Sequence, residues 1–168
     1  MPPLPPWNQI HPLVIHFPIA LTFLVPVFLL LAAVIRKARL SLLFSAALIA
    51  VLAAVGSAMA TSSGEAGEDA IPDSPLARQV LHEHEELGEL ARNINIGAAL
   101  LLTGSWLTLW LLGPKVKAPI ATAALVVLTL AYTWPVLAIA QAGHEGGRLV
   151  HELGTQAWAT PAPGNAHD

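Results

Sequence analysis

Four stretches of this chain, near residues 13–35, 40–60, 94–112 and 119–142, are nearly unbroken runs of apolar side chains. A bilayer core of about 30 Å is crossed by roughly 20 such residues in a helix, and inside lipid only a helix or a closed barrel satisfies every backbone N–H and C=O. Runs of that length fit helices, so the chain is expected to be all-α, a four-helix transmembrane bundle in a lipid bilayer. Composition agrees, with 55% hydrophobic and 11% charged residues where a soluble domain is nearer a quarter charged.

The connections set the direction of the spans. Arg36-Lys37-Ala38-Arg39 joins the first two runs and Gly113-Pro114-Lys115-Val116-Lys117 the last two, so five of the eight Lys and Arg residues lie in two short turns. The positive-inside rule places those turns in the cytoplasm and both termini on the outer side. The chain before the first run carries no Lys or Arg, and that run is longer than a signal-peptide core, so it is expected to remain as a true span. Residues 61–74, with Glu65, Glu68, Asp69 and Asp73, read as an acidic outer loop. Asp73-Ser74-Pro75 then reads as an N-cap followed by proline at the first helical position. The third helix is therefore expected to run unbroken over 75–112, extended beyond the membrane as a stalk whose Leu76, Val80, Leu87, Leu90, Ala91 and Ile94 recur at helical spacing. Residues 160–168 read as a disordered tail, leaving one domain over 1–159 without an internal repeat.

Several chemistries are excluded. A net charge of -3 offers no footprint for nucleic acid. The absence of cysteine removes disulfides, thiolate metal sites, iron–sulfur clusters and covalently attached haem. Metal chemistry here must use His, Asp or Glu.

The seven histidines, His11, His16, His82, His84, His144, His151 and His167, all avoid the basic turns. At 1.5 Å rise per residue, counted from those turns, His11, Glu65, His84 and His144 stand at heights of roughly 38, 38, 44 and 39 Å. His16 lies lower, at about 30 Å, and His151 higher, at about 50 Å if its helix continues. His11, His84 and His144 are accordingly expected to face one another. Pro18, Pro26 and Pro135 are expected to kink their helices. His144, Arg148 and His151 share one helical face by their i, i+4, i+7 spacing, and Gly143, Gly146 and Gly147 leave room for a flat group or a close backbone. At most one of His82 and His84 points inward. Arg92, beside Asn93 and Asn95 at the start of the third run, reads as an interfacial anchor or a partner for a carboxylate or propionate. Trp110 and Trp134 read as interfacial belt residues.

The string His11-Pro12-Leu13-Val14-Ile15-His16-Phe17-Pro18-Ile19-Ala20 resembles the opening of the bacterial membrane proteins grouped as domain of unknown function 2231. The likeness takes in Thr61-Ser62-Ser63-Gly64-Glu65, His84-Glu85 and Gly143-His144-Glu145-Gly146-Gly147-Arg148-Leu149-Val150. It implies a four-helix domain of the bacterial inner membrane, in larger chains joined to Rieske or cytochrome c domains, and hence redox company on the outer side.

Three readings remain open. The first is a b-type haem held by two histidines from different helices among His11, His16, His84 and His144, with Arg92 and Arg148 near its propionates. Such a protein would be an electron carrier rather than an enzyme, working between the quinone pool and an outer partner such as a Rieske or cytochrome c domain. The second is zinc, copper or non-haem iron bound by His11, His84 and His144 with Glu65 or His151. The third is a membrane anchor that binds a protein through its stalk. Whether the chain forms a homo-oligomer is left open by its sequence.

Overall fold

The computed structural model describes residues 6–68, 71 and 74–154. Among these residues the chain is helical, with no strand, and four helical stretches are long and apolar enough to cross a membrane: His11–Val34, Arg36–Glu65, Pro75–Leu112 and Ala118–His151. The tail read as disordered, with His167, lies outside the described residues.

The first span is α1 (His11–Val14) and α2 (His16–Val34), the second α3 (Arg39–Glu65), the third α4 (Pro75–Leu112), and the fourth α5 (Ala118–Ala131) and α6 (Thr133–His151). α3 packs on α2 and α4, α6 closes on α4, and α5 returns to α2, so successive spans neighbour one another around a four-membered bundle. The two basic turns lie together at one end, where each is drawn into a single 3-10 turn.

The third helix begins at Pro75 as the sequence indicates, with the Ala77 N–H donating to Ser74 Oγ at 3.2 Å. One boundary differs from expectation. α3 continues through residues 61–65, where Thr61 and Ser63 return their hydroxyls to carbonyls of their own helix. These polar residues therefore extend the span and shorten the acidic loop. The interruptions at Ile15 and Tyr132 each lie three residues before a proline, Pro18 and Pro135, whose rings deny an N–H to the preceding turn. Pro26 sits inside α2, which is unbroken there.

Small residues let the helices approach closely. α3 turns Ala46, Ala47, Ala50, Ala53, Ala54, Gly56 and Ser57 into the bundle, and a Cβ on Gly56 would stand 3.2 Å from the Pro18 ring. Thr22, Ser57 and Asn95 are 0%, 5% and 1% exposed and come from three helices. Thr22 Oγ1 donates to Asn95 Oδ1 at 3.2 Å, while Asn95 Nδ2 reaches Ala91 O at 3.0 Å and Ser57 Oγ at 3.5 Å. From sequence Asn95 reads only as part of an interfacial group; in the structure it is the hub of this node. Replacing it with leucine is expected to cost only about 1 kcal/mol, because Thr22 and Ser57 can turn their hydroxyls to their own helix backbones. Reversible unfolding in mixed micelles measures the difference.

A histidine pair at the end opposite the basic turns

His11 stands at the first turn of α1, held against α3 at Ala60 and Gly64, one to two turns beyond the contact of Pro18 with Gly56. His84 stands on α4, ten residues before the apolar run that starts at Ile94, and faces α6. Their ring centroids are 6.1 Å apart and the rings are nearly perpendicular, at 87°. Each ring is fixed in the same way. His11 Nδ1 is 2.7 Å from the carbonyl oxygen of Ala60, and His84 Nδ1 is 2.9 Å from that of Ala142. A carbonyl only accepts, so Nδ1 carries the proton in both rings and the free lone pair is left on Nε2.

A mid-helix carbonyl is ordinarily screened by the side chain four residues on. Here that position is glycine twice, Gly64 after Ala60 and Gly146 after Ala142. A Cβ on Gly64 would meet His11 Cε1 and Nδ1 at 3.2 Å, and one on Gly146 would meet His84 Cε1 at 2.9 Å. The two Ala-x-x-x-Gly steps are thus sockets for the two imidazoles. Ser63, fully buried, donates to the same Ala60 carbonyl at 3.0 Å and lies 3.4 Å from His11 Nδ1.

The remaining histidines among the described residues do not join the pair. His144 is exposed, which corrects the expected three-way meeting of His11, His84 and His144. The inward stripe of α6 is Ala138, Ala142, Gly146 and Leu149, and residue 144 is about 200° around the helix from 142. Equal height did not imply a shared face. His151 is exposed at the end of α6, and His16 is exposed with its Nδ1 3.0 Å from Pro12 O. Of the neighbouring pair, His82 is exposed beside Glu86 at 3.4 Å, and His84 alone turns inward. Among the described residues no three His, Asp or Glu side chains converge to hold a metal ion, so the expected set with Glu65, itself exposed at the end of α3, is not assembled.

Carboxylates gather beside the pair. Glu85 lies nine residues above the start of the apolar run of α4, outside the membrane-spanning segment. Burial, followed by the hydrogen bond that protonated Glu85 donates to Glu68 and by the charge of Glu68, pushes its carboxyl up to about 7, against a smaller pull from His82. Its Oε1 is buried without a hydrogen-bond partner among the described residues. Burial lowers the pKa of His84 and so favours the neutral ring, outweighing the opposite pull of its hydrogen bond to the Ala142 carbonyl. Arg148 is occupied by Glu145 at 2.6 Å, Glu152 at 3.4 Å and Glu83 at 3.7 Å, tying α6 to α4. Arg92 pairs within its own helix with Glu89 at 3.4 Å and with Asn93.

These features define a class: a four-helix membrane protein with a fixed histidine pair at one end of its bundle. The chain belongs to the family described as predicted membrane protein DUF2231, whose model matches residues 8–158. No curated protein and no solved structure matches it.

Proposed function

We propose that this protein is a membrane electron carrier that holds one b-type haem between His11 and His84. The observation carrying this reading is the pair itself: two imidazoles from different spans, 6.1 Å between centroids, with both Nδ1 atoms committed to carbonyls and both Nε2 lone pairs left over. Metal-ligating histidines characteristically fix their second nitrogen in this way, which sets the tautomer and the ring orientation. Two imidazoles on opposite sides of one metal ion, with bonds of about 2.0–2.1 Å, have centroids a little over about 6 Å apart. A six-coordinate b-type haem takes two protein ligands, one on each face of its iron, whereas a bare zinc or copper site takes three or more.

When bound, the haem supplies one-electron oxidation and reduction. The protein supplies the two nitrogens, holds them in the neutral form and keeps them at the membrane edge. With the basic turns in the cytoplasm, that edge is the outer face of a bacterial inner membrane, within reach of an outer redox domain.

Two measurements test this reading. Detergent-purified protein should show sharp absorption bands on reduction with dithionite and one haem iron per chain. His84→Ala and His11→Ala should each lose at least nine-tenths of that haem while accumulating in the membrane. Stoichiometric zinc, copper or non-haem iron without haem would put a bare-metal site in its place. A phosphatase reporter that works only outside the cytoplasm, fused after Asp168, should be active; an inactive fusion of an inserted protein reverses the topology.

A further inference from the structure

The break between α5 and α6 falls at Tyr132, within the fourth span. Beside it a crevice of about 180 Å³ opens between α4 and the fourth span, lined by Ala98, Leu101, Leu102, Ala131, Tyr132 and Trp134 among others. Its walls are almost wholly apolar. Tyr132 is 3% exposed, and its hydroxyl is buried with no hydrogen-bond partner among the described residues. An unpaired hydroxyl in hydrocarbon costs on the order of 1–3 kcal/mol, and buried donors in native proteins ordinarily have an acceptor. A second polar group accompanies it. Pro135 has no N–H to close on the carbonyl of Ala131, so the same break and the same crevice wall carry a carbonyl relieved of its helical donor.

A phenol enclosed at the wall of an apolar crevice, with a backbone acceptor beside it, matches a ring that bears a carbonyl in one oxidation state and a hydroxyl in the other. We propose that the Tyr132 crevice binds the ring of a lipid-soluble quinone, which uncovers the Tyr132 hydroxyl and accepts its hydrogen bond at a ring oxygen. Depth separates this ligand from the ester carbonyls of phospholipids. Tyr132 is 14 residues from Ala118, or roughly 21 Å along the span, which is about 6 Å past the midplane of a 30 Å core. Ester carbonyls lie at the edge of that core; a quinone dissolves within it. The crevice volume suits a ring and not its tail, and Trp134 and Leu101, 65% and 54% exposed, form the lip over which the tail would pass into lipid. The proposal rests on the electron-carrier reading for its purpose, because it names what the carrier exchanges electrons with. The binding itself requires no haem.

The test is quenching of tryptophan fluorescence by decylubiquinone, using the full chain in phosphatidylcholine nanodiscs. Wild type should show a saturable component that Trp134→Phe removes. Tyr132→Phe should raise its midpoint about tenfold while the ligand-free variant melts no lower than wild type, since it loses only an unpartnered hydroxyl. Ala98→Phe, which fills the crevice, should abolish the component. Non-saturable quenching, or equal midpoints in wild type, Tyr132→Phe and Ala98→Phe, would overturn the site. The midpoint should be unchanged in ether-linked lipid, which lacks ester carbonyls; a much tighter midpoint there would assign Tyr132 to phospholipid and reject the quinone. Haem retained by a protein that fails these tests removes the quinone site alone, and saturable quinone binding without haem upholds it while removing the haem reading.

Discussion

Alanine at Gly146 is expected to destabilise the protein, whereas alanine at the adjacent Gly147 is expected to stabilise it. Both glycines lie in α6 and each lowers its helix propensity by about 1 kcal/mol relative to alanine, so propensity alone predicts gains at both positions. Their surroundings differ. Nothing among the described residues lies within 4 Å of a Cβ on Gly147, but a Cβ on Gly146 would stand 2.9 Å from His84 Cε1, and the ring cannot swing aside without giving up its bond to Ala142 O. A forced shift of that kind costs about 1–3 kcal/mol, which exceeds the propensity gain. Unfolding in mixed micelles should therefore move in opposite directions for Gly146→Ala and Gly147→Ala. If the His84 ring holds haem, Gly146→Ala should also weaken haem retention at least tenfold, with Gly147→Ala unchanged. Equal stabilisation by both would show that Gly146 is not a socket.

The second large effect is expected at the opposite end. Arg39 opens α3, where its positive charge gains nothing from the helix N-terminus. Its guanidinium instead reaches back to the end of α2 and across to the start of α5. It donates to Ala32 O at 3.1 Å, Ala33 O at 3.3 Å, Ala118 O at 3.3 Å and Thr122 Oγ1 at 2.6 Å. Three spans thus meet on one side chain, which is 8% exposed. Arg39→Ala leaves these acceptors without their charged donor and should lower stability by about 3 kcal/mol. Arg39→Lys should recover little of it, because one ammonium cannot span the fork of acceptors. Arg36→Ala, at an exposed neighbour, is the control and should fall within about 0.5 kcal/mol of wild type. A loss at Arg39 no larger than at Arg36 would reduce Arg39 to a topology signal.

Arg39 shows what charge patterning does and does not convey. As one cation in a basic turn it helped to orient the spans, and that reading depends only on where charges fall along the chain. Its burial depends on how α2, α3 and α5 converge, a fact carried by no local pattern. The same contrast holds for the histidines. Helical rise is a property of the sequence count, and it put His11 and His84 at a common level. Rotation about the helix axis is set by which face the neighbours cover, and it excluded His144. The stripe Ala138, Ala142 and Gly146 was a usable signal for that rotation, since small residues at four-residue spacing mark the side on which another helix closes.

The sequence by itself determined the four spans, their antiparallel order, the Ser74-Pro75 start of the third helix and the exclusion of thiolate chemistry, because each follows from local hydropathy, capping or the absence of a residue type. The tertiary structure decided which polar groups meet. Thr22, Ser57 and Asn95 find one another in the bundle core, the Tyr132 hydroxyl finds no partner among the described residues, and two imidazoles enter glycine sockets on helices 49 and 58 residues away in sequence. In a membrane a polar side chain's partner must come from another helix or from its own backbone, and only packing of the complete bundle selects between them.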